Sequence, residues 1–403
     1  RAALPTTAFL NGASHSRRES VQSVSSDESG HSVVVVEPNG IMRPGGTQNT
    51  ERKKNRQAAL TDYLNELKEF DIFSSSIRRE AYLSIHLARW NSWHLAKAPR
   101  NEIFLRAADM TTTRFCEDEI TLSNQTCSKA KKGLQGMSDV LELVDIHFEL
   151  RRKIWVWWCS LVKSCYIDFA SQFPRVLTDF TFSQRSLWEY YAHVEIAMRD
   201  NHTDCCCRKI NYSIDPNSFT TVQSRLACMK SIIDGLAIRP NASFIHRYLS
   251  NLCQYHDSSC SLRKQSFLRH YVEKWKAWFG NHSARERNIH IFLSVQESMV
   301  EQFRVDESSL IQQHFRAPYL GQVDTSNAFG MPWFTRELEF YFTMREKMWF
   351  WFSREILVES WKHQSIYSAD FEEKQSMLWR YFDSIEEAML QVHVARCAKD
   401  VPN

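Results

Sequence analysis

Soft-metal donors crowd one part of the sequence. Cys253, His256 and Cys260 follow a Cys-x-x-His-x-x-x-Cys pattern, and His202 stands upstream with Cys205, Cys206 and Cys207. Thiolate and imidazole donors at such spacing can build a tetrahedral zinc site, which makes Cys253, His256, Cys260, His202 and Cys205 the metal candidates. The plain alternative is a set of unrelated side chains in a Cys-rich stretch. That alternative is favoured because there is no second Cys-x-x-Cys knuckle, and no cofactor is expected. His86, His94, His147 and His193 fall on helical segments without a nucleophile or acid beside them in sequence, so each reads as a core or surface histidine rather than a general base. The familiar catalytic constellations are missing from the sequence. It contains no phosphate-cradling Gly-x-x-x-x-Gly-Lys loop, no Gly-x-Gly-x-x-Gly, no His-Glu-x-x-His and no Gly-x-Ser-x-Gly elbow. A terpene-cyclase reading fails because Asp200-Asn-His-Thr-Asp204 does not have the paired-carboxylate pattern that holds magnesium. No catalytic residue is assigned.

The elements that would position these residues are helices. Of 403 residues only 11 are Gly and 10 Pro, and many of both fall in the first 50, so the remaining body is poor in breakers. Hydrophobic residues make up 43% and charged residues 24%, which excludes a chain disordered as a whole. The net charge of +3 sits in the N-terminal segment, and the body from residue 57 onward balances. No nucleic-acid partner is therefore expected. The longest apolar run, Ile154 to Val162, is too short to span a bilayer. Ten of the 11 cysteines lie between Cys116 and Cys260, near sequons at Asn124, Asn201, Asn211, Asn241 and Asn281. A secreted disulfide-linked glycoprotein is one reading of this span. Free thiols in a reducing compartment are the preferred one, since Cys159 and Cys165 sit in an apolar helix.

Residues 1–56 read as a disordered Ser/Gly/Pro-rich head, with phosphorylation candidates at Ser20 and Ser25 and a basic cluster from Arg52 to Arg56. An N-terminal helical bundle is expected over 57–199, with residues 117–133 an exposed loop. An irregular linker follows over 200–218, then a middle helical region over 219–316, a second linker over 317–332 and long C-terminal helices over 333–403. Within the middle region one helix is placed near 242–256 and another at 262–279, and Ser283-Ala-Arg-Glu286 forms a capping box.

Two segments read alike. Lys153-Ile-Trp-Val-Trp-Trp158 and Lys347-Met-Trp-Phe-Trp-Phe352 are 194 residues apart, and the same spacing pairs Phe148 with Phe342 and Arg151 with Arg345. A helix apolar around its whole circumference is expected at the centre of a bundle. The fold class is therefore all-α, a multi-helix bundle that becomes two pseudo-repeated bundles if the duplication extends further.

Several blocks resemble the helical scaffold subunit of the KICSTOR complex, which restrains the target-of-rapamycin kinase complex when nutrients are low. They are Asp71-Ile-Phe-Ser74, Arg152 to Trp158, Ser218-Phe219 with Leu226-Ala-Cys228, Phe244 to Leu252, Lys347 to Leu357, and Asp370-Phe371 with Lys374, Ser376, Arg380 and Asp383. The resemblance implies a non-enzymatic scaffold that bridges a GTPase-activating complex, with the other KICSTOR subunits as partners. It implies a cytoplasmic chain recruited to the lysosomal surface, and negative regulation of target-of-rapamycin signalling in amino-acid or glucose shortage. The family's β-rich C-terminal segment has no counterpart here, and the Ser-rich head is a departure. Tyr190, Tyr191, Trp275, Trp278 and Trp361 are the interface candidates. The alternative is a helical enzyme or lipid-binding protein whose pocket is walled by the two Trp-rich helices.

Overall fold

A chain with few breakers and apolar residues recurring every three or four positions buries itself by packing helix on helix. The computed structural model describes residues 46–80, 128–171, 177–210, 222–239, 242–267, 289–315, 332–362 and 368–399, with isolated positions between them. All regular structure among these is helical: α1 (Gly46–Glu80), α2 (Ser128–Gly133), α3 (Ser138–Ser171), α4 (Leu177–Lys209), α5 (Val222–Ala237), α6 (Ser243–Ser266), α7 (Ile289–His314), α8 (Pro332–Lys362) and α9 (Ser368–Lys399). The residues from Gln48 onward form one unit.

Local sequence sets several of these ends. Gly136, at φ 87°, takes the left-handed conformation in the turn between α2 and α3 that a side chain would oppose. Two residues later α3 opens with Ser138 and Asp139, and a hydrogen bond from backbone N–H holds the Asp139 carboxyl below its usual range. α8 starts on Pro332, whose missing N–H costs nothing at a first helical position.

The duplication suggested by the aromatic blocks extends over three helices, with a different spacing in each. On α1 and α6, Tyr63, Leu64, Leu67, Ser74 and Arg78 recur as Tyr248, Leu249, Leu252, Ser259 and Arg263, 185 residues on. On α4 and α9, Trp188, Tyr190, Glu195, Met198, His202 and Cys206 recur as Trp379, Tyr381, Glu386, Met389, His393 and Cys397, 191 residues on. The third pair is α3 and α8, at the spacing of 194. Contacts repeat with the residues: Tyr82 stacks on Trp188 at 5.5 Å and 25°, and Phe267 on Trp379 at 5.3 Å and 26°.

The two halves interlock. α4 and α9 pack against each other as the central pair, flanked by α3 on α4 and by α8 on α9. Trp157 and Trp351, equivalent residues, meet across the middle with ring centroids 5.8 Å apart. The cross-contacts are reciprocal as well, Tyr381 lying near Cys206 and its equivalent Tyr190 near Cys397, which is the pattern of a pseudo-twofold between α4 and α9. From Ser384 to Leu390 every residue of α9 is buried, so α9, rather than either Trp-rich helix, is the element enclosed on all sides. α3 instead buries Ile154, Trp155 and Trp158 and leaves Val156 half exposed.

Several expected boundaries are corrected. Residues 46–56 belong to α1, so the head ends earlier than the composition shift suggests, and residues 1–45, with Ser20 and Ser25, lie outside the described residues. Residues 200–209 are not a linker but the last turns of α4, because Asn201, His202, Thr203 and Cys205 to Cys207 are buried core. The polar run at Lys131 is helical, in α2, with the ammonium 4.7 Å from the centroid of the Phe148 ring. α6 runs unbroken through residues 257–261, since Tyr255, His256, Ser259 and Arg263 form one buried stripe. The capping box at Ser283 and the connection over 317–331 lie outside the described residues.

Trp155 and Trp349 occupy equivalent sites at 0% and 1% exposure. Trp155→Ala and Trp349→Ala are each expected to lower unfolding free energy by about 3–5 kcal/mol, against less than about 0.5 kcal/mol for Val156→Ala. Urea denaturation followed by circular dichroism measures the difference.

Candidate functional site

The polar side chains that could do chemistry converge on two pairs of buried centres, one pair per half. The first kind is ionic. In the N-terminal half the Arg78 guanidinium of α1 pairs with Glu195 of α4, and Arg151 of α3 reaches the same carboxylate at 3.4 Å while pairing with Asp71. Tyr191 donates to Glu195 at 2.7 Å and accepts from Arg78 at 2.8 Å. The C-terminal half repeats the arrangement with Arg263, Glu386 and Arg345, the last at 3.5 Å from Glu386. The second guanidinium nitrogen group is held alike in both: Arg78 Nε donates to the Ser74 carbonyl at 3.2 Å, and Arg263 Nε to that of Ser259 at 3.3 Å. Aromatic faces complete each shell. Arg78 lies 5.9 Å from the Trp155 ring and 5.5 Å from Tyr191, and Arg263 lies 5.6 Å from Trp349 and 5.4 Å from Phe382.

One difference separates the two triads. The position of Asp71 is taken by His256 in the second half, so Arg345 draws its second carboxylate from α7, where Glu307 pairs with it and also accepts from Tyr255. An acid on the same helix face as the serine and arginine is replaced by one from a neighbouring helix.

The second kind of centre is neutral. His202 shares hydrogen bonds with the Tyr63 hydroxyl at 3.0 Å through Nε2 and with the Tyr381 hydroxyl at 3.1 Å through Nδ1. Tyr381 comes from the other half, so this relay ties the halves together. His393 repeats the first bond, to the Tyr248 hydroxyl at 3.0 Å. A flat ring covers each imidazole: His147 on His202 at 4.4 Å and 23°, Tyr341 on His393 at 4.4 Å and 22°. Cys206 and Cys397 lie one turn on, each with Sγ 3.5 Å from the histidine Nε2.

Electrostatics make these centres poor catalysts. Burial pushes His147 and His202 well below the ordinary imidazole range and His393 to about 3, so all three are neutral at pH 7. Burial also raises the thiols, Cys207 to about 12 and Cys253 to about 11, and Cys206 and Cys260 well above their usual value. A nucleophilic thiol requires the opposite shift. Glu387 is raised by burial to about 8 against the opposing Arg225 guanidinium at 3.8 Å, and it lies under α5.

The zinc candidates are not brought together as one set of ligands. His202 is engaged by two tyrosines, while His256 and Cys260 meet each other at 3.5 Å beside Glu386 on another helix. Among the described residues no three potential ligands converge as a metal site. Cys253 and Cys205 serve packing instead. Of the interface candidates, Tyr190 and Tyr191 are 0% and 1% exposed and belong to the core. They face inward because α4 is buried against both α3 and α9. Trp275, Trp278 and the side chain of Trp361 lie outside the described residues. The eight described cysteines carry free thiols, and Cys205 to Cys207 are consecutive on one helix.

The triads and relays were missed at the level of sequence. Their signal was present as Tyr-Leu-x-x-Leu-x-x-aromatic-x-x-x-Ser-x-x-x-Arg on α1 and α6, and Glu-x-Ala-Met-x-x-x-His-x-x-x-Cys fragments on α4 and α9. A search at the single spacing of 194 passes over both, because the connections between helices differ in length. No family model, curated protein or solved structure matches the chain.

Removing the shared carboxylate leaves two buried guanidinium groups facing each other. Glu195→Gln and Glu386→Gln are each expected to cost about 3–5 kcal/mol, whereas Glu189→Gln at the exposed Arg396 pair changes stability by less than about 0.5 kcal/mol. Urea midpoints compare the three.

The buried histidines also set a pH dependence. Their folded values lie below the unfolded 6.5, so their stabilising contribution is complete above that pH and is lost as pH falls through 6.5 toward the folded value. Glu387, raised from 4.5 to about 8, acts in the opposite sense between those values. Between pH 6 and 5, His393→Asn is expected to flatten the slope of unfolding free energy by about 1.4 kcal/mol per pH unit. Denaturation curves at several pH values read that slope.

Proposed function

We propose that the chain is a non-enzymatic helical scaffold that works by presenting rigid outer helix faces to protein partners. The observation that carries this reading is the fate of its chemistry-bearing side chains. The histidines, thiols and guanidinium groups at the described centres are buried, are neutral or ion-paired, and join one helix to another. A catalytic group must reach substrate and titrate near the working pH, and these do neither. What they do supply is rigidity, because a buried ionic centre tolerates only one arrangement of its helices. No described helix is long and apolar enough to cross a membrane.

The KICSTOR resemblance gives this scaffold a specific setting, bridging a GTPase-activating complex at the lysosomal surface and lowering target-of-rapamycin signalling in nutrient shortage. That setting rests on the sequence blocks alone. Two of them, at Arg152 to Trp158 and at Lys347 to Phe352, are equivalent core segments of the two halves, so their likeness to any helical family includes a contribution from packing.

Affinity purification of the tagged chain from its own cells, with mass spectrometry of what accompanies it, tests both levels. Defined protein partners in stoichiometric amounts are the expected result, and KICSTOR subunits among them would support the specific setting. Other partners in their place would overturn that setting and keep the scaffold. A chain recovered alone, carrying a small molecule seen in native mass spectra, would overturn the scaffold.

A further inference from the structure

The pseudo-twofold makes each relay a check on the other, and the second relay lacks a bond that the first one has. In the first half His202 is held at both nitrogens, Nε2 by the Tyr63 hydroxyl at 3.0 Å and Nδ1 by the Tyr381 hydroxyl at 3.1 Å. In the second half His393 Nε2 has its counterpart bond to the Tyr248 hydroxyl at 3.0 Å. The residue equivalent to Tyr381 is Tyr190, and its hydroxyl has no hydrogen-bond partner among the described residues. His393 Nδ1 meets the Cys397 thiol at 3.9 Å, a long contact to a weak donor. Tyr190 is nevertheless in the equivalent place. Its phenol lies within electrostatic reach of Cys397 and Tyr341, and all three lie within reach of the Tyr248 phenol that bonds His393.

A further difference sits beside this histidine. The ring stacked on the imidazole is His147 in the first half and Tyr341 in the second, at the same centroid distance of 4.4 Å. The Tyr341 hydroxyl is a second group without a hydrogen-bond partner among the described residues. Tyr190, Tyr341 and His393 are all at 0% exposure, so three polar groups gather in the core around α4, α8 and α9 with bonds left to make. Packing alone would accept phenylalanine at both tyrosines. A hydroxyl buried without a partner forfeits its hydration and gains nothing in return.

We propose that one buried water molecule completes the second relay, hydrogen-bonded to Tyr190 Oη and His393 Nδ1, with Tyr341 Oη as its third partner. A buried water typically makes about three hydrogen bonds to otherwise unsatisfied groups. Water also suits the charge of the place. Burial keeps the imidazole and both phenols neutral, so these groups offer a metal cation or an anion no counter-charge. A neutral imidazole presents either a donor or an acceptor at Nδ1, according to its tautomer, and water answers both. The molecule joins α4 of one half to α9 of the other, as the direct bond from Tyr381 to His202 does on the opposite side of the axis.

A high-resolution crystal structure of the full chain tests the site without any substitution. The expected result is a single-atom density peak at hydrogen-bonding distance from Tyr190 Oη and His393 Nδ1. A direct bond between those two atoms, density spanning more than one atom, or no peak would overturn the proposal. In solution, oxygen-17 magnetic relaxation dispersion counts long-lived internal water. The paired substitutions Tyr190→Phe and Tyr341→Phe are expected to remove one molecule from that count, and an unchanged count would overturn the proposal. Tyr190→Phe alone is expected to lower the urea midpoint, as Tyr381→Phe does by removing the direct bond. A midpoint that stays the same or rises for Tyr190→Phe would show an unbonded hydroxyl and no water. Circular dichroism melts verify that each substituted chain is folded.

Discussion

A guanidinium group taken out of water must meet a carboxylate, and in this protein two of them meet the same one. Glu195 stands between Arg78 and Arg151, and Glu386 between Arg263 and Arg345, so each half is organised around a buried charge that three helices supply together. None of the three can shift without leaving a charge uncompensated, a cost larger than most packing defects. Replacing such a centre by well-packed apolar residues could leave stability unchanged, so its contribution is specificity of arrangement more than net energy. The aromatic faces over Arg78 and Arg263 add packing to the same constraint.

The relays then join what the triads organise. Tyr63, His202 and Tyr381 form a chain of neutral hydrogen bonds that begins on α1, passes through α4 and ends on α9 of the other half. A neutral imidazole offers one donor and one acceptor, which suits a position between two hydroxyls. The lowered basicity of His202 and the buried tyrosines follow from the same exclusion of water. The two halves are consequently not separate bundles on a linker. Their last helices form a common centre, and the Trp157–Trp351 contact marks the axis between them.

Where the halves differ, the differences are informative. Asp71 against His256 changes the source of the acid for the third helix, bringing α7 into the second ionic centre through Glu307. Ile72, Phe73 and Ile196 stand exposed where the second half has Asp257, Ser258 and the buried Glu387. Duplicated cores are held by the same packing and charge rules in both copies, whereas duplicated surfaces are free to acquire separate partners.

The helical class and the Trp-rich pair were legible in the sequence because both depend on local periodicity: breakers are scarce, and Lys153 to Trp158 and Lys347 to Phe352 repeat without gaps. Lengths of single helices were legible nearly as well, as with α3 and α9. Composition misled where burial overrode it. Asn201, His202 and Cys205 to Cys207 read as a polar irregular stretch, yet α9 and α1 supply the partners that let those residues close α4 as helix. Tyr190 and Tyr191, open in the sequence to either an interface or a core reading, are core because α3 and α9 enclose them. Which arginine meets which glutamate, and which tyrosine from one half meets a histidine of the other, depends on distances between residues more than 100 positions apart along the chain. Local spacing carries no record of those distances, and only the packing of α4 against α9 decides them.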